Sequence, residues 1–234
     1  MLNNITIIIP IFNEEKNIVL LIKSILNIYK WVQIKVIDDF SDDKSVSSVE
    51  KLLKSGENNT KIVIKNKKID NKWLTYSIIK GINLVETKYF IVMDWDFQHP
   101  VKNIQNFINL FKWWKNIVIW EREKIIFKEK KYRILVSKLW NFFINMRLYK
   151  QWFRLSDPLS WFFWWETIFF QKIIKDNKRN FLWWGYKFLF EFLKKTNKNI
   201  CNLWTFNFNF WKRKFWNSKI TVIVYLNFIK WLFR

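Results

Sequence analysis

Tyr89-Phe90-Ile91-Val92-Met93-Asp94-Trp95-Asp96-Phe97-Gln98-His99-Pro100 is the stretch on which the reading of this chain turns. Five aromatic or apolar residues run without interruption into two carboxylates spaced one residue apart. Such a short apolar run, bounded by polar residues, reads as a strand buried on both faces. In extended backbone, residues i and i+2 point the same way. Asp94 and Asp96 are therefore expected to converge on one hard cation, with the amide oxygen of Gln98 as a further ligand. An incomplete oxygen set of this kind suits Mg2+ or Mn2+ already bound to a diphosphate. Paired aspartates also start turns and helices. The strand before them and the Gln-His-Pro after them favour the ligand reading. His99 is the only histidine, which excludes a His-based zinc site and any nucleophile relay needing a second histidine. On its own it reads as a loop histidine with satisfied hydrogen bonds.

The same pattern repeats on either side. Ile5-Thr6-Ile7-Ile8-Ile9 is a β-branched run stopped by Pro10. Asn13-Glu14-Glu15 opens a helix whose Ile18, Leu21, Ile22, Ile25, Leu26 and Tyr29 recur at core-facing spacing. Residues 34–37 read as a strand with Asp38-Asp39 at its end, 46–53 as a helix, 61–64 as a strand and 73–85 as a helix. A helix around Ile104, Phe107, Ile108 and Phe111 and a strand at 117–119 follow. Strands alternating with helices predict an α/β fold with a mostly parallel sheet covered on both faces. Ligands bind beyond the carboxyl ends of such strands, where Asp38, Asp39, Asp94 and Asp96 all fall. The second half is less regular: a helix near 134–144, a loop at Ser156-Asp157-Pro158, a helix after Gly185 and alternation at 205–210. With no repeat and no linker, residues 1–234 read as one domain.

Composition carries an inverted ratio: 17 tryptophans against 3 glycines. A soluble chain of 234 residues would hold about 16 glycines. The tryptophans also stand where glycine belongs, beside Asp, Asn, Lys and Ser at segment junctions: Lys72-Trp73, Asp94-Trp95-Asp96, Ser160-Trp161 and Phe215-Trp216-Asn217. The expectation is that codons written here as Trp are read as Gly in the source organism, with UGA the obvious candidate. The other reading is a Trp-rich protein that uses indoles as core or interface anchors. The net charge of +22 suits nucleic acid or an anionic membrane surface. It also follows from a bias toward Lys, Asn, Ile and Phe, whose codons are A/T-rich. One cysteine, Cys201, excludes an internal disulfide. No signal peptide is expected from Met1-Leu2-Asn3-Asn4, and no uncharged apolar stretch reaches the ~18 residues a span needs.

Four segments, in order, carry a resemblance: Ile8-Ile9-Pro10-Ile11-Phe12-Asn13-Glu14, Ile37-Asp38-Asp39-Phe40-Ser41, Asp94-Trp95-Asp96-Phe97-Gln98-His99-Pro100 and Asp157-Pro158-Leu159-Ser160-Trp161-Phe162-Phe163. Arg213-Lys214-Phe215-Trp216-Asn217-Ser218-Lys219 adds a fifth. Together they resemble the inverting family-two glycosyltransferases, within them the dolichol-phosphate mannosyltransferase and polyprenyl-phosphate glycosyltransferase group. The resemblance implies a GT-A (Rossmann-like) fold, with a nucleotide-binding half over about residues 1–122 and an acceptor-binding half over about 123–234. The family has glycine where Trp73, Trp120, Trp161 and Trp216 stand and a small residue at Trp95, so each of these five departures exchanges a small residue for Trp.

By position, the resemblance puts Pro10, Phe12, Glu14, Ile37 and Asp39 against the nucleoside, with Asp39 on base or ribose. Asp94, Trp95, Asp96 and Gln98 take the diphosphate site, and Asp94, Asp96 and Gln98 the metal. Arg122, after Ile119-Trp120-Glu121, matches a diphosphate-contacting arginine. Catalysis is expected from Asp96, from Arg213 and Lys219 gripping donor diphosphate or acceptor phosphate, and from Asp157 on the acceptor side in a role left open. Trp164-Trp165-Glu166 stands where some members carry a basic residue, a departure that leaves one phosphate contact open.

The implied activity moves a mannose- or glucose-type hexose from a nucleotide-diphosphate sugar to a polyprenyl or dolichyl phosphate, with Mg2+ or Mn2+ as cofactor. The enzyme is expected at the cytoplasmic face of a membrane, bound peripherally, with residues 220–234 as an interfacial or core-packing helix. Two other readings stand beside it. A same-fold transferase would glycosylate a sugar hydroxyl of a surface polysaccharide and needs a carboxylate base, for which Asp157 is the candidate. A basic nucleic-acid-binding protein would need a continuous basic-aromatic groove, which clustered carboxylates at strand ends oppose.

Overall fold

Strands β1 (Ile5–Ile11), β2 (Gln33–Asp38), β3 (Thr60–Ile64), β4 (Tyr89–Val92), β5 (Ile117–Ile125), β6 (Phe163–Glu166) and β7 (Leu203–Phe210) form one sheet in the order β3-β2-β1-β4-β6-β5-β7. The structure is a computed structural model describing residues 4–56, 60–64, 74–94, 96–97, 99–110, 117–125, 131–157, 160, 162–177, 188–196 and 201–210. Every neighbouring pair is parallel except the two made by β6, which runs antiparallel to both β4 and β5. The mostly parallel α/β sheet anticipated from the alternation is therefore present.

The helices are α1 (Ile18–Ile28), α2 (Ser45–Lys54), α3 (Leu74–Asn83), α4 (Ile104–Leu110), α5 (Lys131–Leu148), α6 (Thr167–Asp176) and α7 (Phe188–Lys194). They cover both faces. Ile7 and Ile9 of β1 pack in one cluster with residues of α1, α2 and α4, while Ile8 and Ile37 pack in the other with α3, α5, α6 and α7. Because successive strand residues face opposite ways, a strand between two helical layers must be apolar throughout. That is why β1 is buried at every position. Gly81 has a specific task in this layering. A Cβ there would lie 2.6 Å from Ile8 Cγ2 and 3.1 Å from Ile37 Cγ1, so only glycine lets α3 cross β1 and β2 this closely. None of the described helices is long and apolar enough to cross a membrane.

Two differences from the sequence reading have physical causes. Pro10 does not stop β1, which continues to Ile11. The Ile8 carbonyl accepts from Met93 N on the β4 side, and the Ile11 carbonyl accepts from Asp39 N on the β2 side. Alternation then turns the nitrogen of Pro10 toward β4, which has already ended at Val92, so its missing N–H breaks no ladder bond. Strand β6 was not anticipated. It lies inside a continuous aromatic stretch and passes into α6 at Glu166 with no Gly or Pro between them.

The strand order places β2 and β4 on opposite sides of β1. The chain thus changes direction across the sheet beside β1. In such sheets the loops diverge there and leave a crevice beyond the strand ends.

Candidate active site

Three loops meet at that edge, and each contains a non-glycine residue in left-handed backbone: Asn13 (φ 58) after β1, Phe40 (φ 63) after β2 and Phe97 (φ 60) after β4. Left-handed backbone at an aromatic residue is strained and concentrates at functional sites. The first two loops are laced together. Asn13 N–H donates to Ser41 Oγ at 2.8 Å, and Asn13 Oδ1 accepts from Asp42 N–H at 2.8 Å. Glu14 N–H donates to Ser45 Oγ at 2.7 Å, and Glu15 N–H to Asp43 Oδ2 at 3.1 Å.

Asp38 is the bracket beneath them. It is buried, and its Oδ1 accepts from Ser41 Oγ at 2.6 Å and its Oδ2 from Ser41 N–H at 3.1 Å. Burial pushes its carboxyl above the usual range, with the Ser41 hydrogen bonds working against that rise. Asp39 stands half-buried one residue on, and Phe12 is exposed at the rim. Pro10, Glu14 and Ile37 lie below the surface. Ile37 belongs to the core cluster under α3, and Glu14 accepts a hydrogen bond from Asn17 Nδ2 at 3.3 Å.

Beyond β4, Asp94 is half-buried and Asp96 is only 2% exposed. Asp94 N–H donates to His99 Nδ1 at 3.0 Å, and His99 Nε2 lies 4.0 Å from Asp94 Oδ2. With Nδ1 accepting, the ring proton resides on Nε2. The same ring stacks on Phe162, centroids 4.7 Å apart at 9°. His99 is thus a buried loop histidine with partners, as read, and it joins the Asp94 loop to the segment leading into β6. Trp95 and Gln98 lie outside the described residues, and among the described residues no group of three His, Cys, Asp or Glu gathers for a metal. The loop beyond β4 carries two carboxylates, Asp94 and Asp96. Their chemistry fits a divalent cation that takes its remaining ligands from a diphosphate and water.

A second cluster gathers around the middle of β5. Glu121 is buried, and its Oε1 accepts from Ser156 N–H at 2.6 Å and Asp157 N–H at 3.1 Å. Asp157 is itself 3% exposed, and its carbonyl accepts from Ser160 N–H at 3.1 Å. Ser160 Oγ donates to the Trp120 carbonyl, and Trp120 N–H donates to the Phe162 carbonyl at 2.9 Å. From α5, Asn145 accepts Leu155 N–H at 2.8 Å and donates to Leu155 O at 2.7 Å, while Asn141 Nδ2 donates to Ser156 O at 2.8 Å. The spacing of these two asparagines on an apolar helix was the readable signal for this grip, and sequence reasoning passed over it. Arg122 lies in β5 opposite Phe208 of β7. Arg213, Lys219 and residues 220–234 lie outside the described residues.

A parallel sheet with a direction change, strained loops at its edge and a carboxylate pair beyond β4 define a GT-A glycosyltransferase. The glycosyl transferase family 2 profile matches residues 6–218, and the chain belongs to that family. Among curated relatives, the dolichol-phosphate mannosyltransferase of Pyrococcus furiosus is 31% identical over 120 residues, covering 50% of this chain and 33% of that protein. An undecaprenyl-phosphate 4-deoxy-4-formamido-L-arabinose transferase of Photorhabdus laumondii is 27% identical over 111 residues, covering 46% and 33%. The chain thus spans about a third of the length of these relatives. Among solved structures, mannosyl-3-phosphoglycerate synthase from Rubrobacter xylanophilus aligns with a TM-score of 0.65 at 10% identity, over 98% of this chain and 72% of that one. Glucosyl-3-phosphoglycerate synthase from Mycobacterium tuberculosis, with Mn2+ and UDP-glucose, aligns at 0.58 and 14% identity, over 94% and 73%.

Proposed function

We propose that this chain is an inverting hexosyltransferase that uses a nucleotide-diphosphate sugar and a polyprenyl phosphate, and that it works at the cytoplasmic face of a membrane. The observation that carries the reading is the Asp94/Asp96 pair at the sheet's direction change, in a chain whose relatives include transferases named for dolichol phosphate and undecaprenyl phosphate. Phe12 and Asp39, at the rim, take the nucleoside. Pro10, Glu14 and Ile37 support that rim from beneath. Asp94 and Asp96, with Gln98, hold Mg2+ or Mn2+. The bound cation supplies positive charge to the departing diphosphate.

The acceptor phosphate is already anionic at neutral pH, so its attack on the anomeric carbon needs no strong base. The residues' work is to position the two substrates and offset charge, a task assigned to Arg122, Arg213 and Lys219. A second reading has one specific observation behind it. Asp157 is buried, and its backbone is held from two sides, the N–H by Glu121 and the carbonyl by Ser160 N–H, which fixes the loop that would present its carboxylate as a base to a sugar hydroxyl. A donor screen tests the first step: GDP and UDP with Mn2+, followed by thermal shift. A nucleotide at 100 times its Kd stabilises by about 2.7 kcal/mol. No shift with any nucleotide would count against the reading.

We infer further that the positions written as Trp are glycine in the native protein. Trp152 closes a 3-10 turn at φ 64, the left-handed position that favours glycine after a helix, and is 77% exposed. Trp164 and Trp165 are adjacent and fully buried on opposite faces of β6. The Trp165 ring centroid is 4.0 Å from that of Phe192, which in turn is 3.8 Å from Phe170. Aromatic pairs ordinarily sit about 4.5–7 Å apart, so this region is overfilled. The buried Trp165 Nε1 has no hydrogen-bond partner among the described residues.

A further inference from the structure

Glu121 is an acid in the middle of a buried strand, a costly place for one unless its oxygens are used. The four residues before it, Ile117, Val118, Ile119 and Trp120, are apolar and buried. Glu121 itself is only 5% exposed, so it is not a solvated surface charge. Its Oε1 accepts from two successive backbone amides, Ser156 N–H at 2.6 Å and Asp157 N–H at 3.1 Å. The preceding residue of the same strand holds the far end of that loop. The Trp120 carbonyl accepts from Ser160 Oγ, and Trp120 N–H donates to the Phe162 carbonyl. Both contacts use backbone atoms, so they do not depend on the side chain at position 120. Helix α5 grips only the approach to the loop, through Asn145 on Leu155 and Asn141 on the Ser156 carbonyl. Glu121 is therefore the side chain that fixes the backbone of Asp157. The next residue along β5 is Arg122, assigned above to the donor diphosphate. Adjacent residues of one strand thus serve the two sides of the reaction.

We propose that Glu121 is a positioning residue that sets the Asp157 loop, and with it the acceptor, in register with the donor. This role rests on the acceptor-side reading of Asp157 for its purpose, but not for its geometry. The work is done by an oxygen at the right distance from two amides, and the negative charge strengthens those hydrogen bonds without being their point. A glutamine offers the same oxygen on a side chain of the same length. An aspartate keeps the charge but is one methylene shorter and falls short of both amides. A general base or a metal ligand would show the reverse preference, because there the charge is what acts.

Two measurements on the native full chain test it. Amide exchange at Ser156 and Asp157 reads the grip without any substrate, and steady-state transfer from a nucleotide sugar to a polyprenyl phosphate with Mn2+ reads its consequence. Glu121→Ala and Glu121→Asp are expected to lose protection at both amides. Both should keep the Kd for nucleotide with Mn2+ and lose about 100-fold in kcat, the effect of a misplacement of about 1 Å. Glu121→Gln should keep the protection and most of the turnover. Glu121→Asp retains the charge and most of the volume, so it answers even where Glu121→Ala does not fold. Four results overturn the proposal. They are wild-type kcat in a variant that has lost the protection, protection that survives in both Glu121→Ala and Glu121→Asp, loss of turnover in Glu121→Gln with the protection kept, and nucleotide binding that falls together with transfer, as it would for a residue that only braces the fold. The expected exchange pattern in a chain whose wild type transfers no hexose to polyprenyl phosphate would uphold the grip and sink the acceptor reading.

Discussion

Asp94 and Asp96 bear the heaviest load in this account, and their separate environments sharpen what each should do. Asp96→Ala is expected to abolish transfer and metal-dependent nucleotide binding with the fold intact. Asp94→Ala should act similarly or slightly more mildly, because Asp94 is the more open of the two. Turnover and Mn2+-dependent nucleotide titration decide it, and wild-type turnover in both variants would refute the site. Arg213→Ala and Lys219→Ala should lower turnover with polyprenyl phosphate far more than they weaken nucleotide binding. Full activity of both on the lipid acceptor would remove their role. Strand spacing would put i and i+2 on one side, but β4 ends at Val92, so the loop beyond it sets how far Asp94 and Asp96 are exposed. The difference between Asp38 and Asp39, or between Phe12 and Glu14, was not legible in the sequence. A motif places residues along the chain, but only the packed loops decide which side chain lines a crevice and which one braces it. His99 shows the same limit: its hydrogen bond to Asp94 N–H was foreseeable from a loop five residues long, its stacking on Phe162 was not.

Among elements, the first six in chain order, β1 to α3, were readable because each is a short apolar run or a helical stripe with polar ends. Burial on both faces explains β1 and β2, and the α1 stripe from Ile18 to Leu26 is buried as its spacing implied. β6 escaped because aromatic residues fill both faces of a four-residue strand and no breaker separates it from α6. Its antiparallel course between β4 and β5 comes from tertiary pairing that leaves no mark on local periodicity. The contact of α3 with β1 gives an element-scale prediction. Gly81→Ala should destabilise by about 1–3 kcal/mol through overpacking, read as a lower denaturation midpoint. No change would mean that α3 does not cross β1 and β2 this closely. Cys201 provides a second. Its thiol is buried, and burial raises its pKa well above the usual range. It should resist alkylation at neutral pH until the chain unfolds, and rapid labelling of the folded protein would place that segment elsewhere.

For the whole molecule, the tryptophans set the terms. A bulky residue in left-handed backbone costs roughly 1–2 kcal/mol, and overpacking a tight site about 1–3 kcal/mol more. If half of the 17 positions are tight, the sum exceeds the ~5–15 kcal/mol that holds a domain folded. The chain made with Trp should therefore fold poorly and be inactive, and the chain made with Gly at all 17 positions should be soluble and active. Mass spectrometry of native peptides spanning Asp94–Asp96 and Ser160–Phe163 reads the residue directly, and Trp in those peptides would defeat the inference. The catalytic assignment rests on carboxylates and cations and is tested separately. The most direct test incubates the glycine form with Mn2+, labelled GDP- or UDP-hexose and a polyprenyl phosphate, and follows label and anomeric configuration in the lipid product. The expected product is a polyprenyl-phosphate hexose of inverted configuration, dependent on the metal and absent with Asp96→Ala. A folded protein that labels no lipid phosphate from any donor, or a retained configuration, would contradict it.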